Sequence, residues 1–363
     1  LGNDHVLVIG GGAAGISAAL GLASLGHPVS LVEKETQLGG QAFAYGCKAT
    51  EECLLCGVCL LHDALREVKE EERIEVLTGA NVEKIEGELG RFTVQVVVRQ
   101  VHDSTELAEA HPESAPADRG ADGAGERREL RAGAVVLAVG FEPFEASLKG
   151  EFGYGRYPHV ITALDAERIL KDKGKILKAG GGEPRRVAFI QCVGSRDVSL
   201  GKPYCSRICC AYALRMVAVL RHDFPECEVT VFYMDFQPLG KKFEMIRQGL
   251  EEDNKVRLLR TIPAKIYGWE GEKEVEVRYA DPLTEGLVTE AFDLVILSIG
   301  LGGLAVSETV TGLKRTEDGF LEANGKAGRF LAGSCNGPRT IAESIADGRK
   351  VALQVAMTLR SRK

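Results

Sequence analysis

Near its start the chain reads "HVLVIGGGAAGISAALGLASLGHPVSLVEKE": an apolar strand, a tight glycine turn, a helix of small residues and a second apolar strand. Gly10, Gly12 and Gly15 fit the spacing G-x-G-x-x-G, and Glu33 closes the second strand 23 residues beyond Gly10. No other feature constrains the fold as strongly. A strand–helix–strand crossover belongs to a parallel sheet that must be covered on both faces, so the fold class is α/β with a doubly wound sheet. Glycines in the turn let the backbone approach a pyrophosphate at the helix N-terminus, and the acid accepts hydrogen bonds from ribose hydroxyls. The triplet alone is compatible with a purely structural turn. Its place between strand and helix, with the acid at the next strand end, argues for a dinucleotide.

FAD is the expected dinucleotide. The segment "QLGGQ", Gln37 to Gln41, resembles the stretch that flavoproteins place beside the ribityl and adenosine parts of FAD, and "FLAGSC", Phe330 to Cys335, resembles their second FAD contact. Candidate cofactor residues are therefore Gly10, Gly12, Gly15, Glu33, Lys34, Gly39, Gly40, Gln41, Gly140, Gly333, Ser334, Cys335, Thr340 and Ile341. Ser334 stands where many such proteins carry an acidic residue. The helix after Pro338 could aim its N-terminal dipole at a reduced, anionic ring, or could dock on the surface as a closing helix.

The formal charge is −7, so no basic excess supports a nucleic-acid partner. The longest apolar runs are too short to enter a bilayer directly, and the expected compartment is the cytoplasm. Ten cysteines in such a setting read as metal ligands or redox groups rather than disulfides. Cys47, Cys53, Cys56 and Cys59 fall within 13 residues, the last three as C-x2-C-x2-C. This spacing suits three or four corners of a [4Fe–4S] cube; a tetrahedral zinc site and unligated thiols remain open. Lys48 and Arg66 read as ordinary surface cations, with moderation of the cluster's negative charge as the alternative, and Lys241 and Lys242 as solvated ones, with one facing the flavin or a docking partner as theirs. Cys227 reads as structural, and Cys335 as either packing or a neighbour of the flavin.

A first FAD-binding part is expected over residues 1–150, carrying the cysteine segment 47–59 and a solvated, mobile insertion over 102–128 at a hairpin tip. A second α/β unit, degenerate as a nucleotide domain, spans 151–290, and the first domain resumes over 291–363. In the second unit "RRVAFIQCVG" reads as a strand that should enter a glycine turn if a nicotinamide nucleotide bound there. Cys192 stands at its end instead, and Cys205, Cys209 and Cys210 open the next helix. Adjacent cysteines cannot point the same way along a helix, so Cys209 and Cys210 require irregular backbone or a group lying at the helix N-terminus, where the dipole favours thiolates. Ser195, Arg196 and Asp197 read as shaping this loop.

The phrases C-V-G-S-R-D and Y-C-S-R-I-C-C, with "LAVGFEPF", "FGYGRYPHVITALDAERIL" and "AGSCNGPRTIAESIADG", closely resemble the A-type subunits of heterodisulfide reductase and their relatives across nearly the whole chain. That resemblance implies a Rossmann-like FAD domain interrupted by a second α/β domain, in the manner of glutathione and thioredoxin reductases. It implies FAD and a [4Fe–4S] cluster at Cys192, Cys205, Cys209 and Cys210; the second cluster, at the earlier set, rests on spacing alone. The expected activity is electron transfer between flavin and clusters in a heterodisulfide-reductase-like complex. Partners related to its B and C subunits, or to those of the quinone-interacting membrane-bound oxidoreductase, are implied, as is a homodimer. The extra ferredoxin modules of the large methanogen-type subunits are expected to be absent, as in the short relatives of the family. Where the family commonly has a lysine near the flavin, this chain has Arg215, a candidate for flavin tuning or a helix-surface residue. A stand-alone NAD(P)H-dependent flavin disulfide reductase and a scaffold without turnover are the competing readings.

Overall fold

The computed structural model describes residues 4–99, 125–238, 240–269, 271, 273–304, 308–323 and 328–361. Two parallel sheets organise it. The first has the order β18-β7-β1-β2-β3, built from β1 (Val6–Ile9), β2 (Val29–Val32), β3 (Ile74–Leu77), β7 (Ala134–Leu137) and β18 (Arg329–Leu331). The second runs β12-β11-β10-β16-β9, from β9 (Val160–Thr162), β10 (Arg186–Val193), β11 (Glu228–Phe232), β12 (Val256–Leu259) and β16 (Leu294–Ile299). Their central strands are continuous apolar runs because both faces are covered: β1, β7 and β16 are buried at every position.

Both units have the same three layers. Helices α1 (Ala13–Ser24), α2 (Val58–Glu70) and α7 (Ile341–Arg360) cover one face of the first sheet, and the antiparallel β4 (Ala80–Glu88), β5 (Arg91–Val98) and β6 (Glu126–Ala132) cover the other. In β5, Phe92, Val94 and Val96 alternate inward with the period of a half-buried strand. On the second sheet, α3 (Ala163–Lys173), α4 (Cys209–Asp223) and α5 (Lys241–Glu252) form the helical layer; β13 (Lys265–Tyr267), β14 (Val275–Ala280) and β15 (Leu287–Phe292) form the opposite one. The short antiparallel pair β8 (Phe141–Pro143) and β17 (Leu301–Gly303) follows the two sheets' last common strands, and α6 (Glu308–Thr311) comes after it.

Two expected boundaries shift. Leu294–Ile299, placed at the start of the returning FAD part, pairs with β10 and β9 in the second sheet, so the chain re-enters the first unit only beyond it. Ladder hydrogen bonds on both sides hold that strand, which its apolar composition alone could not assign to either sheet. Most of the insertion expected over 102–128 lies outside the described residues. Glu126, Arg127 and Arg128 belong to β6 and pair with β5 from Val98 inward, so a hairpin does join these strands. Their charged side chains conceal a strand because it is an edge with one solvated face.

Candidate functional site

The glycine turn joins β1 to α1 as its spacing requires. Gly10 has φ +105°, where an L side chain is strained, and a Cβ there would lie 2.4 Å from Ala138 O. A Cβ on Gly15 would lie 1.8 Å from Gly10 O, so only glycine lets α1 start so close to the turn. Around Gly12 the backbone is open, its nearest neighbour being Gly40 Cα at 4.0 Å from a notional Cβ. Gly39 N donates to Gly11 O at 2.7 Å, which brings the "QLGGQ" segment directly against the turn. Glu33, buried at the end of β2, accepts from Gly11 N at 2.6 Å and Glu35 N at 2.9 Å. Each carboxylate oxygen keeps a lone pair for a hydroxyl.

These residues open into a cavity of about 950 Å³. Gly10, Gly12, Glu33, Lys34, Gly39, Gly40, Gln41, Gly140, Ser334, Thr340 and Ile341 line it. The N-terminus of α7 also lines it, and there Thr340 and Glu343 form a capping box, Thr340 N donating to Glu343 at 2.9 Å and Glu343 N to Thr340 at 3.2 Å. Gly333 is held beneath it, its N–H donating to Asp347 at 2.9 Å. The chain thus recruits an acid from α7 beside the position where Ser334 replaces one in sequence. Cys335 faces the core: its thiol donates to Leu137 O and Ala332 O, each at 3.3 Å, and burial pushes it up to about 12.

Lys48 corrects its sequence reading as a surface cation. It is 2% exposed, lines the cavity and pairs with Glu167 on α3 at 2.5 Å, while also donating to Gly46 O at 3.2 Å. Burial raises the Glu167 carboxyl above its usual range against the pull of Lys48. Nothing in the local sequence marks this lysine, because its carboxylate partner comes from a distant helix. Arg66 is exposed, as expected, and pairs with Asp63. Lys242 is half-buried, joining α5 to the first cysteine segment through Glu52 at 2.6 Å.

The two cysteine sets differ. In the first, Cys47, Cys53 and Cys59 are exposed and Cys56 is half-buried in the cavity wall. Leu55, left-handed at φ +54°, donates its N–H to Cys53 Sγ at 3.4 Å. Arg215 on α4 also lines the cavity, and its Nε donates to Leu54 O at 2.7 Å, between Cys53 and Cys56 in sequence. In the second set, Cys209 and Cys210 are buried in the first turn of α4, with Cys192 and Cys205 partly buried nearby. Burial, reinforced by the charges of Cys210 and Cys205, pushes Cys192 up to about 11; burial and the other three cysteines raise Cys209 further. Thiols so placed bind a metal or cluster only by losing protons that burial holds on. Arg207, left-handed at φ +60°, donates its N–H to Cys205 Sγ at 3.2 Å, and its side chain reaches Pro338 O at 3.2 Å and Glu343 at 3.0 Å at the start of α7. Among the described residues, no three cysteine, histidine or carboxylate side chains converge on a site for one metal ion.

The turn after β10 packs against other parts of the chain. A Cβ on Gly194 would stand 2.0 Å from the Phe144 ring, Phe144 N donates to Gly300 O at 2.9 Å, and Leu301 N donates to Ser206 Oγ at 3.0 Å. Cys192 occupies the strand end at φ +61°, at a shift of register between β10 and β16.

A profile of the pyridine nucleotide-disulphide oxidoreductases matches residues 4–348. The chain belongs to that family. It is also 31% identical, over 425 aligned positions, to an iron-sulfur A subunit of the CoB–CoM heterodisulfide reductase of Methanopyrus kandleri, covering 98% of this chain and 64% of that protein. The A subunit of the H2:CoB-CoM heterodisulfide,ferredoxin reductase of Methanothermobacter marburgensis is 32% identical, with the same coverage of 98% and 64%. The chain thus spans just under two thirds of the length of these relatives. Among solved structures, the thioredoxin reductases of Lactococcus lactis (17% identical, TM-score 0.62, 98% of this chain and 99% of that one) and T. acidophilum (18%, 0.61, 99% and 100%) share the fold. The family is one of oxidoreductases, and the expected two-domain α/β architecture is present. No helix among the described residues is long and apolar enough to cross a membrane.

Proposed function

We propose that the chain is an FAD- and [4Fe–4S]-containing electron-transfer subunit of a heterodisulfide-reductase-like complex. The observation that carries this reading is the turn after β10: Phe144 packs directly on Gly194, and Cys192 with the loop carrying Cys205, Cys209 and Cys210 stands where a nicotinamide nucleotide would need a second glycine fingerprint. The cavity suits FAD, with an open glycine turn, a ribose-competent carboxylate beside it and the α7 N-terminus in its wall. The donor set Cys192, Cys205, Cys209 and Cys210 consists of free thiols held within one another's electrostatic reach. It suits an iron–sulfur cube, and the Cys47, Cys53, Cys56 and Cys59 segment suits a second one. When bound, FAD accepts electrons in pairs and releases them singly to one-electron iron–sulfur groups.

The chain's own residues do the rest. Gly12 leaves the pyrophosphate position open, Gly10 and Gly15 allow the tight turn that brings α1 to it, and Glu33 receives the ribose. Thr340 and Ile341 bring the capped start of α7 to the cavity, with Gly39, Gly40, Gln41, Gly140 and Ser334 shaping the walls and Gly333 held behind them by Asp347. Lys48 adds a positive charge to the wall, held in place by Glu167. Arg207 links the second cysteine loop to the helix that faces the flavin. Subunits related to the B and C components of heterodisulfide reductase, or their quinone-linked counterparts, would handle the sulfur substrate and electron exit, and the protein would act as a homodimer.

One observation favours a second reading. Cys56 lines the cavity, so Cys53 and Cys56 could serve a flavin disulfide reductase as its redox pair. Anaerobic purification with iron, sulfide, zinc and flavin analysis separates the two. About eight irons per FAD are expected, falling by about half in Cys209→Ala with flavin retained. Unchanged iron in that variant, or yellow protein free of iron, defeats the proposal.

A further inference from the structure

Gln191 precedes Cys192 on β10. Its side chain is 1% exposed, and among the described residues neither its amide nitrogen nor its carbonyl oxygen has a hydrogen-bond partner. The alternation of the strand places it. Val187 and Phe189 point into the core beneath α4, together with Cys210, Leu214 and Val217, whereas Ala188 and Ile190 point to the opposite face. The register shift begins after Ile190 and the left-handed residue is Cys192, so position 191 follows Val187 and Phe189. It therefore lies on the α4 side of the sheet, at the strand end nearest the first turn that carries Cys209 and Cys210.

A carboxamide taken out of water with both ends unbonded loses the full hydration of two polar groups, and folded proteins rarely leave such a group without a partner. An apolar residue would fill this position at no such cost. The missing partner belongs to something the polypeptide does not supply, on the same face as the cysteine set. We propose that the Gln191 carboxamide donates an N–H to the sulfur-rich group held by Cys192, Cys205, Cys209 and Cys210, and so acts as a positioning and tuning residue for it. This rests on the iron–sulfur reading of that set. Hydrogen bonds to cluster sulfurs stabilise the more negative, reduced state, so Gln191 holds the reduction potential up. It also retains iron, because a bonded second layer steadies the ligands.

The test uses anaerobically purified holoprotein: wild type, Gln191→Leu, which keeps the bulk and removes the donor, and Gln191→Glu, which replaces a donor by an acceptor. Redox titration followed by electron paramagnetic resonance, with iron release to a chelator, supplies the readouts. In Gln191→Leu the midpoint of the Cys209-dependent signal is expected to move negative and iron release to rise about tenfold. In Gln191→Glu both effects are expected to be larger, with the flavin midpoint unmoved in each variant. A merely structural role would lower the melting temperature and leave the cluster midpoint in place. That result, or unchanged iron release in both variants, overturns the assignment. If Gln191→Leu does not accumulate, Gln191→Met carries the same test. Wild-type protein without iron overturns the underlying reading and the Gln191 assignment with it, and is distinguished by the metal analysis alone.

Discussion

Lys48 and Glu167 come from positions 119 residues apart and meet with both side chains buried. Removing one partner leaves the other as an uncompensated buried charge, so Lys48→Met is expected to lose about 3–5 kcal/mol in denaturant unfolding. The pH dependence has a definite sign. The folded-state pKa of Glu167 is already raised by burial, and losing its cation raises it further. A raised carboxyl contributes stability below its unfolded value that is lost as pH rises through the folded value. The deficit of Lys48→Met is therefore largest above the raised folded-state value of Glu167 and shrinks as pH falls through that value, where Glu167 takes up a proton, toward the ordinary carboxyl range of the unfolded chain. A deficit independent of pH would show that packing, not charge, dominates. Arg215 acts on a different neighbour. Its bond to Leu54 O holds the loop between Cys53 and Cys56 against the cavity, and a charged donor of this kind contributes about 1.5–3 kcal/mol. In Arg215→Met, alkylation of the half-buried Cys56 is expected to accelerate at least about tenfold relative to that of the exposed Cys53, measured by peptide mapping of the reduced protein. Arg215→Lys should restore part of the protection.

The helices that frame the cavity are set by close backbone approach. A Cβ on Gly348 of α7 would lie 2.3 Å from Ala14 O of α1, and one on Gly21 of α1 would lie 2.8 Å from the Ala352 side chain. These contacts bring the α7 N-terminus to the same cavity as the glycine turn. Gly348→Val is expected to lower the flavin-to-protein ratio as well as the melting temperature, because it pushes one cavity-forming helix off the other. Gly15→Ala should lose flavin more completely, since its methyl meets Gly10 O in the turn itself. Either variant retaining full flavin would show that the helices can separate without opening the site. α1 and α4 were both legible in the sequence as helices following a strand, and the position of Cys209 and Cys210 at a helix start was expected from their adjacency. β6 was not, because Glu126 to Arg128 carry charge on an edge strand, and neither was the strand Leu294–Ile299 assignable to its sheet.

Across the whole molecule, one layered plan occurs twice, but the turns after the equivalent strands differ: β1 is followed by Gly10, Gly12 and Gly15 at the fingerprint spacing, β10 by Gly194, packed against Phe144, and a cysteine-bearing loop. NADH is accordingly expected to leave the flavin of the isolated chain oxidised under anaerobic conditions, as followed by the absorbance of the oxidised cofactor at about 450 nm. Rapid bleaching would mean that the second turn opens. Spacing along the chain was enough to establish the first nucleotide unit, the acid that closes its second strand and the two groups of cysteines, because local backbone geometry dictates which residues such turns and helix starts accept. Only tertiary structure decided that Lys48 is buried, that Arg215 reaches the first cysteine segment, that Cys335 faces the core and that Gln191 lacks a partner among the described residues. Each depends on which distant element covers the residue, and no local pattern in a single sequence carries that information.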